Sequence, residues 1–155
     1  MDKNSTFEPV MIMLFIALIM QLIPVSGEWL VWRPNFLLLV TIVWILYFPN
    51  QYGVGFSVMV GIFVDLIFNT TLGSHVLIFT VCGAVATLLH RIVAYLGLAH
   101  RIVIVALLVL FAELSRAVVG EFTFFWEHIF YIVIMSCLFW IPLDKLVGKL
   151  YRLQK

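Results

Sequence analysis

The stretch Gly61-Ile-Phe-Val-Asp-Leu-Ile-Phe-Asn-Thr-Thr-Leu-Gly73 sets one carboxylate, Asp65, in a run otherwise about as apolar as lipid. The same texture continues in both directions. Of 155 residues, 65% are hydrophobic and 11% charged, and the mean hydropathy is +1.17; a soluble domain carries about 25% charged residues. The fold class expected is therefore an all-α integral membrane protein, with helix packed on helix, because backbone polar groups in lipid must be satisfied within the chain. The net charge of +1 provides neither a basic stripe for nucleic acid nor an acidic tail.

A spanning helix requires roughly 20 mostly apolar residues, or about 17 when short. Six segments meet that rule, at about 9–26, 30–48, 53–68, 75–96, 102–120 and 123–142. Pro24 with Gly27, Pro49-Asn50, Asn69-Thr70-Thr71 with Gly73, Gly97, Gly120 and Pro142 punctuate them. The reading is one polytopic domain over 1–155, a six-transmembrane-helix bundle with an amphipathic tail over 143–155 and no soluble domain before or after it. Arg33-Pro34-Asn35 forms a lip to the second segment, since Pro34 suits a first helical turn and Asn35 can accept from free backbone donors there. Small residues at Val25-Ser26-Gly27 resemble a cleavage site, but Lys3 gives only a weak basic leader, so a retained first helix is expected.

Lys and Arg sort by side. With a cytoplasmic N-terminus, the inner side receives Lys3, Arg91, Arg101, Lys145, Lys149, Arg152 and Lys155, and the outer side Arg33 alone. Both termini are therefore expected in the cytoplasm. Lys145, Lys149 and Arg152 recur at i, i+4 and i+7, which gives the tail one face toward anionic lipid headgroups. Trp29, Trp32, Trp126 and Trp140 read as an aromatic belt at the interfaces.

Four charges lie in or at the lip of the segments: Arg33, Asp65, Glu113 and Arg116. At about 1.5 Å rise per residue, Asp65, Glu113 and Arg116 reach roughly 17–21 Å from the inner ends of their helices, so all four belong to the outer half. Lone ions at such depth cost at least a few kcal/mol each, and mutual pairing is expected. Asp65 with Arg116 is the preferred pair by depth. Glu113 and Arg116, three apart on one helix, can also meet, which leaves Arg33 for whichever acid is free. Gly53, Ser57, Gly61 and Asp65 step by four and form a small-residue stripe that lets a second backbone approach. Thr80, Gly83, Ala84 and Thr87 offer a matching face; the stripe serves internal packing or a homodimer or partner seam.

No catalytic constellation is visible. Ser57, Ser74, Ser115 and Ser136 lack a nucleophile context, and no His is spaced to serve them. Asp65 and Glu113 beside two bases would stay ionised, whereas a general acid needs a raised pKa. Cys82 and Cys137 sit in apolar runs, and His75, His90, His100 and His128 show no metal spacing, so neither metal nor cofactor is expected. The inner half holds no acid within a segment, which argues against a transport pathway.

Arg33-Pro34-Asn35 opening the second segment, Gly61-x-x-x-Asp65 followed by Thr71-Leu72-Gly73, and a charged fifth segment resemble the MreD family of bacterial rod shape-determining membrane proteins. The likeness extends over essentially the whole chain, although the Glu113-x-x-Arg116 pair is not carried over from it. It implies a non-enzymatic component of the elongation machinery in the bacterial cytoplasmic membrane, supporting lateral peptidoglycan synthesis and rod shape. The partners it implies are the bitopic protein MreC above all, then RodA with its penicillin-binding transpeptidase, RodZ and MreB. The implied fold also resembles the substrate-binding subunits of energy-coupling-factor transporters, so the alternative function is a vitamin-binding subunit; a shared fold does not carry that job with it.

Overall fold

The computed structural model describes residues 4–23, 33–69, 73–118 and 126–153, without the side chains of residues 4, 5, 94 and 126–128. These residues form α1 (Asn4–Leu22), α2 (Phe36–Tyr47), α3 (Val54–Phe68), α4 (Ser74–Tyr95), α5 (Leu98–Val118) and α6 (Trp126–Leu153), with no strand among them. Stretches of α4, α5 and α6 (Ser74–Val93, Leu98–Val118, Ile129–Leu153) are long and apolar enough to cross a membrane. The first three helices are apolar but shorter; α2, with 12 residues, rises only about 18 Å.

The short α2 is the centre of the bundle. Phe36 through Leu46 are all buried, because the helix is apolar on every side and α1, α3, α4 and α6 all pack against it. Trp44 is fully buried and stacks on Phe48 with ring centroids 5.2 Å apart, while Phe36 meets Phe139 of α6 edge to face at 5.0 Å. Trp140 is also fully buried, so it belongs to the core and not to the interfacial belt that its position suggested. Trp29 and Trp32 lie outside the described residues, and so does the side chain of Trp126.

Pro142 does not end the last helix. A proline deprives one upstream carbonyl of its partner, yet α6 runs through it to Leu153, and the expected tail is the continuation of that helix. Tertiary packing holds the extension: Val147 is fully buried, and Tyr151 meets the rings of Tyr47 and Phe48 at 5.8 and 5.4 Å.

Successive helices alternate in direction. The C-terminal turns of α1, α3 and α5 meet the N-terminal turns of α2 and α4 at one end of the bundle, where Gln21, Asn35, Phe68, His75 and Arg116 surround a common cavity. At the opposite end Thr6 of α1 donates to Gln51 and accepts from Tyr52, and Tyr47 of α2 faces Arg101 of α5 and Asp144 of α6. The starting turn of α1 and the closing turns of α6 therefore share one end.

Candidate functional site

Asp65 is only 1% exposed, and its carboxylate lies across the start of α4. Oδ2 accepts from Gly73 N–H at 2.8 Å, and Oδ1 from His75 N–H at 3.1 Å. The His75 ring contributes Nδ1 to the same Oδ1 at 2.9 Å, which in the neutral ring places the proton on Nδ1 and the lone pair on Nε2. The cap residue of α4 is Gly73, which has no side chain to offer its own helix. Asp65 fills that role from the neighbouring helix: the first-turn N–H groups of α4 lack intrahelical acceptors, and a carboxylate there also meets the positive end of the helix dipole.

This differs from the expected partnership with Arg116. Among the described residues the ion pair of Asp65 is with His75, and Arg116 bonds Glu113 on its own helix at 3.2 and 3.3 Å. The reason is local geometry. Asn69 adopts φ 50° and Gly73 φ +108°, both left-handed, and the start of α4 lies against the Asp65 carboxylate. The left-handed conformation at residue 73 is one that glycine tolerates and side chains resist. His75, which sequence reading set aside as one of four scattered histidines, was findable from a different signal: a helix start capped by glycine, with an acid eight residues upstream.

Of the Gly53, Ser57 and Gly61 stripe, Ser57 and Gly61 face α4. A Cβ on Gly61 would stand 2.7 Å from Val76 Cα, and a Cβ on Gly83 only 1.9 Å from Ser57 Oγ. Gly61 and Gly83 thus permit the close approach of α3 and α4 that brings Asp65 to the α4 backbone. Gly53 is looser, with Pro49 O at 3.7 Å from its would-be Cβ.

The Arg33-Pro34-Asn35 element fastens α1 to α2. Asn35 Oδ1 accepts from Leu38 N–H at 3.1 Å, capping α2, and Gln21 Oε1 accepts from Phe36 N–H at 3.1 Å. Arg33 donates to the carbonyl of Met20 near the end of α1, and Pro34 is buried. Of the remaining motif positions, Leu72 lies outside the described residues. Gln21, Asn35, His75 and Arg116 give polar lining to a cavity of about 340 Å3, completed by Leu37, Val64 and Phe68. The structure thus gathers Asp65, Glu113 and Arg116 at one end, but as two separate pairs, with Arg33 bound to backbone.

The opposite end holds a cluster that sequence reading did not assemble. Arg101 Nη1 donates to Tyr47 Oη at 2.7 Å and to Asp144 Oδ1 at 3.3 Å, Tyr47 Oη donates to the same Oδ1 at 3.0 Å, and Arg101 Nε donates to Leu96 O at 3.2 Å. Gly148 makes room for it, since a Cβ there would fall 2.9 Å from Tyr47 Oη. The signal in the sequence was faint: Asp144 is an acid amid the basic residues of the tail. Among the described residues no three of His, Cys, Asp and Glu converge as metal ligands would.

Three helices long and apolar enough to cross a membrane, a buried central helix and buried charges capped or paired at the bundle ends place the chain in the class of all-helical bundles suited to a membrane. The family model described as rod shape-determining protein MreD matches residues 1–153, and the chain belongs to that family. The rod shape-determining protein MreD of Haemophilus influenzae (strain ATCC 51907 / DSM 11121 / KW20 / Rd) is 30% identical over 99 residues, which span 64% of this chain and 61% of that protein. No solved structure matches the chain.

Proposed function

We propose that the chain is a non-enzymatic, multi-pass scaffold of the bacterial elongation machinery, binding MreC and supporting lateral peptidoglycan synthesis with RodA, its penicillin-binding transpeptidase, RodZ and MreB. The observation that carries this reading is the family match over residues 1–153. The alternating helix directions support six crossings of the cytoplasmic membrane, and the Lys and Arg at the Tyr47 end support placing both termini inside. Three short helices suit such a bundle because α2 is shielded by protein on all sides and needs no lipid match of its own.

The charges at the Arg33 end act as fold determinants in this reading. Asp65 caps α4, Asn35 caps α2, and Glu113 holds Arg116, so little polarity is left over to retain a vitamin in the 340 Å3 cavity. Partner contact falls to the apolar outward faces, where Met59 and Phe63 of α3 and Leu107 and Phe111 of α5 are exposed. A transmembrane partner packs on such faces by van der Waals fit. Photo-crosslinkers placed singly at these four positions in living cells test the reading: MreC adducts clustered on one of the two faces are expected, and their absence from both, with the protein correctly inserted, would overturn it.

A further inference from the structure

We propose that the recess around Arg101 at the Tyr47 end binds the phosphate of an anionic phospholipid headgroup. Two adjoining cavities, of about 610 and 440 Å3, share Tyr47, Arg101, Asp144, Gly148 and Arg152 as lining, and Lys145, Lys149 and His90 complete their polar walls. Four permanent cations therefore surround one acid. That acid is spent within the protein, because Asp144 Oδ1 already accepts from both Tyr47 and Arg101. The uncompensated charge of the recess is positive.

Arg101 is the built element. Its Nε is fixed on Leu96 O and its Nη1 on Tyr47 and Asp144, while among the described residues Nη2 has no hydrogen-bond acceptor. Its side chain is 20% exposed and lines both cavities, so the guanidinium is held by three contacts while part of it remains accessible. A planar guanidinium pre-set in this way recognises phosphate better than mobile surface lysines do. The first turn of α5 begins beside it at Leu98 and adds the positive end of a helix dipole. Apolar surface lines the recess as well: Leu98 and Tyr151 are 41% and 37% exposed and half-buried Leu96 lies beside Leu98, a margin suited to acyl chains and not to a soluble phosphate. The inference requires membrane embedding but neither the side faced nor binding to MreC, so its failure leaves the proposed function standing.

Native mass spectrometry of the full chain released from nanodiscs, with phosphatidylglycerol or phosphatidylcholine as the probe lipid, tests it. One phosphatidylglycerol retained at least about tenfold more strongly than phosphatidylcholine is expected, falling about tenfold in Arg101→Gln and two- to threefold in Lys149→Gln, in line with a fixed guanidinium donor against a mobile point charge. Equal retention of the two lipids would overturn the proposal, as would wild-type retention in a folded Arg101→Gln protein. If that variant does not fold, the Lys149→Gln/Arg152→Gln protein decides, and undiminished phosphatidylglycerol retention in it is contradictory. Glycerol 3-phosphate bound as tightly as the lipid would overturn the assignment to lipid.

Discussion

At the scale of single residues, Asp65 is best understood as the N-terminal cap of a helix that lacks one of its own. Among the described residues, Gly73 N–H, His75 N–H and His75 Nδ1, all at the α4 start, lie within 3.1 Å of its carboxylate. Asp65→Asn keeps one acceptor but brings an NH2 group toward those donors and removes the charge from the dipole. A loss of about 2 kcal/mol in stability is expected, read by thermal denaturation in detergent. Arg116→Gln takes the cation away from the buried Glu113 carboxylate and should cost about 2–4 kcal/mol. The swap of Asp65→Arg with Arg116→Asp should fail to restore stability, since an arginine cannot accept from the α4 N–H groups. The sequence made the burial of Asp65 within an apolar helix legible through periodicity and hydropathy. It hid the partner, because that depended on two left-handed residues in the connection to α4, and backbone reversal leaves only a weak trace in composition.

At the scale of elements, the α3–α4 pair is the tightest joint in the bundle, and two glycines permit it. Gly83→Ala places a methyl group 1.9 Å from Ser57 Oγ, so a loss of about 1–3 kcal/mol is expected. Gly55 is the control: nothing lies within 4 Å of its would-be Cβ, and Gly55→Ala should be neutral or stabilising by up to about 1 kcal/mol through helix propensity. Equal effects at the two positions in the same melting assay would contradict the joint described. Within α2, Trp44→Ala should cost about 3–5 kcal/mol, the range for deleting a buried ring. Element existence was legible because long apolar runs between Pro, Gly and Asn have few alternatives. Their ends were less so. Pro142 reads as a stop in sequence, yet packing of Val147 and Tyr151 carries α6 past it, and Trp140 reads as interfacial only if the helix ends there.

At the scale of the whole molecule, the bundle has two unlike ends joined by a buried apolar axle. One end ties helix termini together through Asn35, Gln21 and Asp65; the other holds Tyr47, Arg101 and Asp144 within a ring of further cations. The first was partly legible, since its residues stand out as charges inside apolar runs. The second was not, because its residues sit at flanks where basic charge is ordinary and only tertiary contact distinguishes Arg101 from its neighbours. In the scaffold role proposed above, such ends would hold the spacing of the helices fixed while their exposed apolar faces meet other membrane proteins. The most direct test is mild-detergent co-purification of the tagged chain from rod-shaped cells that depend on it for shape. Recovery with MreC at constant stoichiometry, with no small molecule retained, is the expected result; a vitamin held in stoichiometric amount and no MreC would contradict the account.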